Sequence, residues 1–329
     1  MKRFKDFTPS GVIPATLLAF NEDYSINWAE TTRHLTDVAA TPGLSAITVN
    51  GHASEVHAYS FDEQREILDH TLDDVGDRIP IIVGVFAEAS HDAAKLAKMS
   101  EAAGASALLV FPSNVLMMGG ERRPEMAEAH FEAVADATDL PIICFNYARW
   151  TNLAYPLETI IRLAEKIPSL VAIKDWTAEP MEHERNIRTL QSLSRPINVL
   201  STNSAWLMAS LSMGASGLLS GAGSIIADLQ VAMFRAMQSG DLTTARAIND
   251  RMQPVTQAFY APPFLDMHNR MKEAAVLLGR QDRAIVRPPL MKIPQAEIDR
   301  IGAALKAGGI NRDGAEGLDL GGAVGIAAE

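Results

Sequence analysis

Ser169-Leu170-Val171-Ala172-Ile173-Lys174-Asp175 is the stretch from which the fold is read. Four apolar residues in a row, without alternation, describe a strand buried on both faces, as in a parallel sheet. A lysine stands where that strand runs out. A charged amine is costly in such a place, so it is paired, reaches water along its stem, or does chemistry. A lysine in a surface loop between strand and helix has the same local sequence.

The rest of the chain repeats the theme. Short apolar runs recur at 11–15, 44–49, 79–84, 106–110, 141–145, 197–200 and 217–220, making eight candidate strands with 170–173. Between them lie amphipathic patterns of about three to four helical turns, such as Leu157, Ile160, Ile161, Leu163 and Ala164. Gly43 and Gly104 follow helical patterns where a left-handed cap would sit. Pro80, Pro141, Pro168 and Pro196 stand at or before strand starts, where a missing N–H is tolerated. Eight βα units ending near residue 236 predict an α/β fold, a (β/α)8 TIM barrel spanning 1–236. An open doubly wound sheet would carry a glycine-rich phosphate turn after its first strand, where this chain has Ala15-Thr16-Leu17-Leu18. Beyond 236 the strand signals stop. Helical patterns at 241–252, 264–278 and 295–305 predict a C-terminal α-helical domain over 237–307, and the glycine-rich remainder, 308–329, is expected to be a flexible tail.

Composition narrows the function. The 329 residues are 47% hydrophobic and 21% charged, the range of a soluble globular protein. A net charge of −11 without a basic cluster argues against nucleic acid and anionic membrane as partners. The single cysteine, Cys144, lies in an apolar run and is expected to be a buried structural thiol. The charged start, Met1 to Phe7, has no apolar core of a signal peptide, and no run approaches a membrane span, so the cytoplasm is the expected compartment.

In a barrel of this kind the chemistry gathers where the strands end. Lys174 is the only lysine in the segments that directly follow the eight strands. An amine in a desolvated barrel mouth has a lowered pKa and can attack a ketone to form a Schiff base. The iminium then accepts electrons from a neighbouring carbon, which permits aldol cleavage, aldol addition or dehydration. His52 is a ready acid or base, or a loop imidazole bonded to backbone. Tyr147 lies two residues beyond Phe145, hence on the same strand face, as a proton carrier or a packed aromatic. Arg149 could grip a carboxylate through two nitrogens, or be a solvated or interface arginine. His52, Glu55 and His57 could be read as a metal cluster, but their spacing fits no strong motif and no metal or cofactor is assigned. Gly221-Ala222-Gly223-Ser224 reads as an anion-friendly turn. The polar run Asp266 to Glu273 reads as domain docking or an interface, without chemistry.

In order and spacing several segments together resemble the dihydrodipicolinate synthase / N-acetylneuraminate lyase family of Schiff-base 2-oxo-acid aldolases and dehydratases. They are Gly11-Val12-Ile13-Pro14-Ala15-Thr16, Glu63-Gln64-Arg65, Ala103-Gly104-Ala105, Ala172-Ile173-Lys174-Asp175 and Met213 to Ser220. The resemblance runs from about residue 8 to 305. It implies a barrel with a C-terminal helical domain, a homotetramer built as a dimer of dimers, and a Schiff-base lysine at Lys174. Where the family has Gly-Thr-Thr-Gly-Glu to hold the substrate carboxylate, this chain has Gly51-His52-Ala53-Ser54-Glu55. Where the family has the proton-carrying tyrosine of a Tyr-Asn pair, this chain has Phe145-Asn146. The family's paired tyrosines after the fourth strand are Ser113-Asn114 here. These departures point away from dihydrodipicolinate synthase itself and from sialic acid lyase. The expectation is a carbon–carbon or carbon–oxygen lyase for pyruvate or a related 2-oxo acid. Lys174 is the nucleophile, and Gly51 and Ala53 bind the carboxylate through backbone amides. His52 or Tyr147 moves protons, Phe145 fills the tyrosine's place, and Leu219 and Ser220 form the floor. A barrel that binds the acid with little turnover, or a metal-dependent aldolase at the His52 cluster, are the alternatives.

Overall fold

The computed structural model describes residue 4, residues 6–318 and residue 320. Eight parallel strands follow one another around the molecule: β1 (Gly11–Pro14), β2 (Ile47–Val49), β3 (Ile81–Val85), β4 (Ala107–Val110), β5 (Ile142–Asn146), β6 (Leu170–Asp175), β7 (Asn198–Ser201) and β8 (Gly217–Ser220). The hydrogen-bonded order runs β1-β8-β7-β6-β5-β4-β3-β2. Bridges at Val12–Leu44 and Ala15–Thr48 bring β1 to β2 and close the ring. Each expected apolar run overlaps one of these strands, four of which (β3, β5, β6 and β7) extend one or two residues past the run. Their residues are almost all buried, since helices cover the outside and side chains fill the inside.

The covering helices are α1 (Trp28–Ala39), α2 (Phe61–Val75), α3 (Ser90–Ala103), α4 (Pro124–Ala135), α5 (Leu157–Lys166), α6 (Pro180–Leu190), α7 (Leu207–Ser212) and α8 (Gly223–Gln238). Local chemistry sets their ends. Ser60 and Glu63 form a reciprocal capping box on α2, and Gly104 caps α3 at a φ of 109°. Gly43 also has a positive φ, 93°, but it lies in the turn after α1, which is capped by Ala40. Two strand glycines allow close backbone approach. A Cβ on Gly84 would stand 1.8 Å from the Asn50 carbonyl oxygen, and one on Gly217 would stand 2.3 Å from that of Gly11. The first glycine lets the loop after β2 lean over β3; the second lies in the β1–β8 seam. Cys144 is buried in β5, where burial pushes its thiol pKa up.

Helices α9 (Leu242–Phe259), α10 (Met267–Leu277) and α11 (Gln295–Ala307) follow. The first runs through Pro254, seven residues past the expected end at 252. All three pack on one another, and α9 and α10 also pack on α8. Two buried cations fasten this layer. Arg270 donates to Glu297 (2.7 Å) and to the carbonyls of Phe259, Ala261 and Pro263, which shapes the turn entering α10. Lys272 pairs with Glu55 from the loop after β2 and donates to the Ile285 carbonyl at 2.8 Å.

The expected flexible tail needs a correction over its first part. Residues 310–315 form a small hairpin, β9 (Ile310–Asn311) with β10 (Gly314–Ala315). Arg251 holds the carbonyls of Gly308 and Gly309, Arg280 those of Asn311 and Arg312, and the Ala315 amide donates to Asp228. These partners lie far away in sequence, so glycine content alone could not show them. Residues 319 and 321–329 of that tail lie outside the described residues. No described helix is long and apolar enough to cross a membrane.

Candidate active site

Lys174 lies one residue before the end of β6, paired with Phe145 on β5 and Leu200 on β7. Alternation along the strand separates it from its neighbour Asp175. The Asp175 carboxylate is held by Asn146 (3.1 Å), His183 (2.7 Å) and Asn186 (3.2 Å), and His183 is bonded in turn to Ser210 at 2.7 Å. That buried network fixes the end of β6 and leaves its carboxylate unavailable to Lys174. Among the described residues the Lys174 amine has no acidic partner; it sits 4.2 Å from the centre of the Phe145 ring. Burial lowers its pKa to about 7.

The cavity around this amine is walled by His52 and Ala53 from the loop after β2, Phe145, Trp176, and Tyr260, Met267 and His268 from the C-terminal layer; Ala15, Thr202 and Gly221 complete it. His52 Nε2 and the Tyr147 hydroxyl form a short hydrogen bond. Tyr147 packs on Phe145 with ring centres 4.3 Å apart, the same-face placement expected from their spacing. Phe111 lies edge-on to His52 at 5.0 Å. Burial, and then the charge on Lys174, lower the His52 pKa to about 3, so its imidazole is neutral at pH 7. Burial raises the Tyr147 hydroxyl well above its ordinary value. The pair is therefore neutral and can pass a proton in either direction.

Gly51 precedes a single helical turn, His52–Ser54. The Ser54 hydroxyl accepts the Gly51 amide at 3.1 Å, and the amides of Ser54, Glu55 and Val56 are bonded inside the loop. Those of His52 and Ala53 have no partner among the described residues, and both residues face the cavity. Two free N–H groups beside the amine can receive a carboxylate without any side-chain hydroxyl.

Other expected residues lie elsewhere. Arg149 is mostly exposed, and Glu182 grips its guanidinium with contacts of 2.8 Å from Nε and Nη2. It is on the rim, outside the cavity, because the single turn 149–151 after β5 points it at α6. Leu219 and Ser220 do not form the floor. Leu219 belongs to the core, and Ser220 is bonded to Ser204 and Gln230 behind the wall, where Gly221 stands. Glu55 faces away from His52 toward Lys272 and the Arg287 amide (2.9 Å), so the cluster of His52, Glu55 and His57 does not converge on one point. Ser113 and Asn114 are tied to Glu88 of the neighbouring loop and do not extend a proton path.

His268 is the residue that the sequence reading passed over. It belongs to the run assigned to docking, and α10 does dock there, but its first turn also closes the barrel mouth. A Cβ on Gly221 would stand 3.0 Å from His268 Nε2, so the ring packs closely over that glycine. Burial, followed by the charges of His52 and Lys174, holds the His268 imidazole well below its ordinary pKa. The one signal in the sequence was a histidine in a helix otherwise rich in salt-bridging residues.

Comparison with known proteins agrees with this geometry. The dihydrodipicolinate synthetase family matches residues 8–308. The chain is 29% identical to a 4-hydroxy-tetrahydrodipicolinate synthase of Neisseria gonorrhoeae, covering 91% of this chain and 98% of the relative. It is 24% identical to a probable 2-dehydro-3-deoxy-D-pentonate aldolase of Escherichia coli, covering 94% and 99%. Among solved structures, YagE of E. coli, a prophage protein of the dihydrodipicolinic acid synthase family in complex with pyruvate, superposes with a TM-score of 0.84. The identity there is 21%, over 91% of this chain and 98% of that one.

Proposed function

This chain belongs to the dihydrodipicolinate synthetase family, an enzyme family of carbon–carbon and carbon–oxygen lyases, and from that premise we propose that it is a Schiff-base lyase for pyruvate or a related 2-oxo acid. The observation that carries the reading is Lys174 itself: a buried amine without an acidic partner, at the end of a barrel strand, with a pKa of about 7. At neutral pH about half of it is the free base. Its nitrogen lone pair adds to the C2 carbonyl, loss of water gives the iminium, and the iminium then accepts the electron pair of the C3 bond that breaks, or as the enamine returns that pair when the bond forms. The free amides of His52 and Ala53 receive the C1 carboxylate, and Phe145 supplies an apolar wall under the amine. The His52–Tyr147 pair carries the protons that the missing tyrosine would carry. It also favours turnover over simple binding, since a proton path is rebuilt from residues that the usual motif lacks.

The departures at 52, 53 and 145 favour a reaction other than dihydrodipicolinate synthesis. A homotetramer in the cytoplasm, with no metal or cofactor, completes the proposal. Exposed Val115, Met117 and Met118 after β4 are apolar surface that an assembly would cover. Light scattering after size exclusion checks the tetramer; a monomer at micromolar concentration would remove that part.

The test of the chemistry is direct. Incubation with pyruvate and borohydride should add mass at Lys174, and Lys174→Ala should show none. Absence of an adduct across several 2-oxo acids would sink the proposal.

A further inference from the structure

Resting on the Schiff-base reading, we propose that the second substrate of this enzyme is an aromatic aldehyde, bound along an aromatic wall that leads from Lys174 to the surface. Rings follow one another outward without a break. Phe145 contacts Tyr147, Tyr147 is 6.0 Å from Trp176, and Trp176 meets Trp150 at 5.3 Å and Phe264 at 6.3 Å. Trp150 and Phe264 stack at 5.5 Å and are 58% and 36% exposed. Rings that open to water at the mouth of a catalytic cavity offer flat apolar area to an incoming ring, through offset or edge contacts.

What the cavity lacks is equally specific. Among the described residues no carboxylate or guanidinium lines it. Arg149, on the rim, is neutralised by Glu182. A phosphorylated or acidic aldehyde would find no counter-charge beyond the amine and its carboxylate site. A polyhydroxylated aldehyde would bury hydroxyls against Trp176 and Met267, with Thr202, Tyr260 and His268 as its polar partners in the wall, and Tyr147 is engaged by His52. An aryl ring needs none of these.

The step balances with the groups present. In cleavage, the neutral His52–Tyr147 pair accepts the C4 hydroxyl proton, the C3–C4 bond breaks, and its electron pair passes into the iminium to give the enamine. The aromatic aldehyde leaves. The proton held by the pair is later returned to C3, and water releases pyruvate from Lys174. Addition is the same sequence reversed.

The experiment is a panel of aldehydes offered with pyruvate: benzaldehyde and cinnamaldehyde against glyceraldehyde and erythrose, with product followed by mass spectrometry. The expected result is a kcat/KM for the aryl aldehydes about tenfold or more above the polyols. The double variant Trp150→Ala/Phe264→Ala should shrink that ratio at least about threefold, mainly through KM. A preference for glyceraldehyde or erythrose, no turnover of any aldehyde by a protein that forms the pyruvate adduct, or a ratio unmoved in the double variant would each overturn the inference. Failure to form the adduct at all would instead overturn the Schiff-base reading beneath it.

Discussion

At the scale of single residues, the site is a set of neutral groups made so by burial. Lys174 has its pKa lowered to about 7 because its ammonium is desolvated and unpaired. Its nucleophilic form therefore grows as pH rises through about 7, and the rate of adduct formation should rise with it and level off above. A rate that kept climbing to pH 10 would mean an ordinary, solvated lysine. In the proposed mechanism the His52–Tyr147 pair acts after the amine. Tyr147→Phe and His52→Ala should lower kcat about a hundredfold or more while slowing borohydride trapping far less. Equal losses in both assays would assign the pair to binding and not to proton transfer. Phe145 explains the arrangement: a phenyl ring keeps the shape of the missing tyrosine, and the hydroxyl reappears one strand repeat later.

At the scale of elements, the loop after β2 and the helix α10 are one unit. Glu55 ends the turn His52–Ser54, in a left-handed conformation at a φ of 68°, and pairs with Lys272 of α10 in a fully buried contact. The same helix carries His268 into the mouth one turn earlier. Removing one partner of a buried pair leaves the other charge uncompensated, at about 3–5 kcal/mol. Lys272→Met should therefore destabilise the fold by about that amount in urea unfolding, and Glu55→Gln with Lys272→Met should recover much of it. A loss in the single variant below about 1 kcal/mol would show that the pair adds little. Arg287 strengthens the same junction, donating to Glu63 in the capping box of α2 and to the carbonyls of Tyr24 and Ala58. The loop that carries the proposed carboxylate site and the helix are thus linked through Glu55.

At the scale of the whole molecule, neutral buried imidazoles make the fold sensitive to acid. His34 has its pKa lowered to about 4, by burial first, and its Nε2 accepts the Leu17 amide at 3.1 Å. His52 and His268 are lowered as well. Each folded-state value lies below the unfolded value near 6.5, so between the two the unfolded chain binds more protons. Stability from these groups is complete above about pH 6.5 and falls as the pH drops toward 4. Thermal unfolding at constant ionic strength should show the midpoint decline across that window; a flat midpoint from pH 7 to 4.5 would contradict it. Much of this molecule was legible in its sequence. The eight strands, the helical layer and Lys174 were all readable, because burial on both faces leaves unbroken apolar runs and a lysine at the end of one is conspicuous. The pairing of Tyr147 with Phe145 was readable too, because alternation along a strand is a local rule. The tertiary structure alone decided the rest. Arg149 faces Glu182, Glu55 faces Lys272, the start of the tail docks on Asp228, and His268 lines the cavity around Lys174. The physical reason is distance along the chain. Each of these side chains takes its role from a partner 33 to more than 200 residues away. Local periodicity carries no information about which element will close over the barrel mouth.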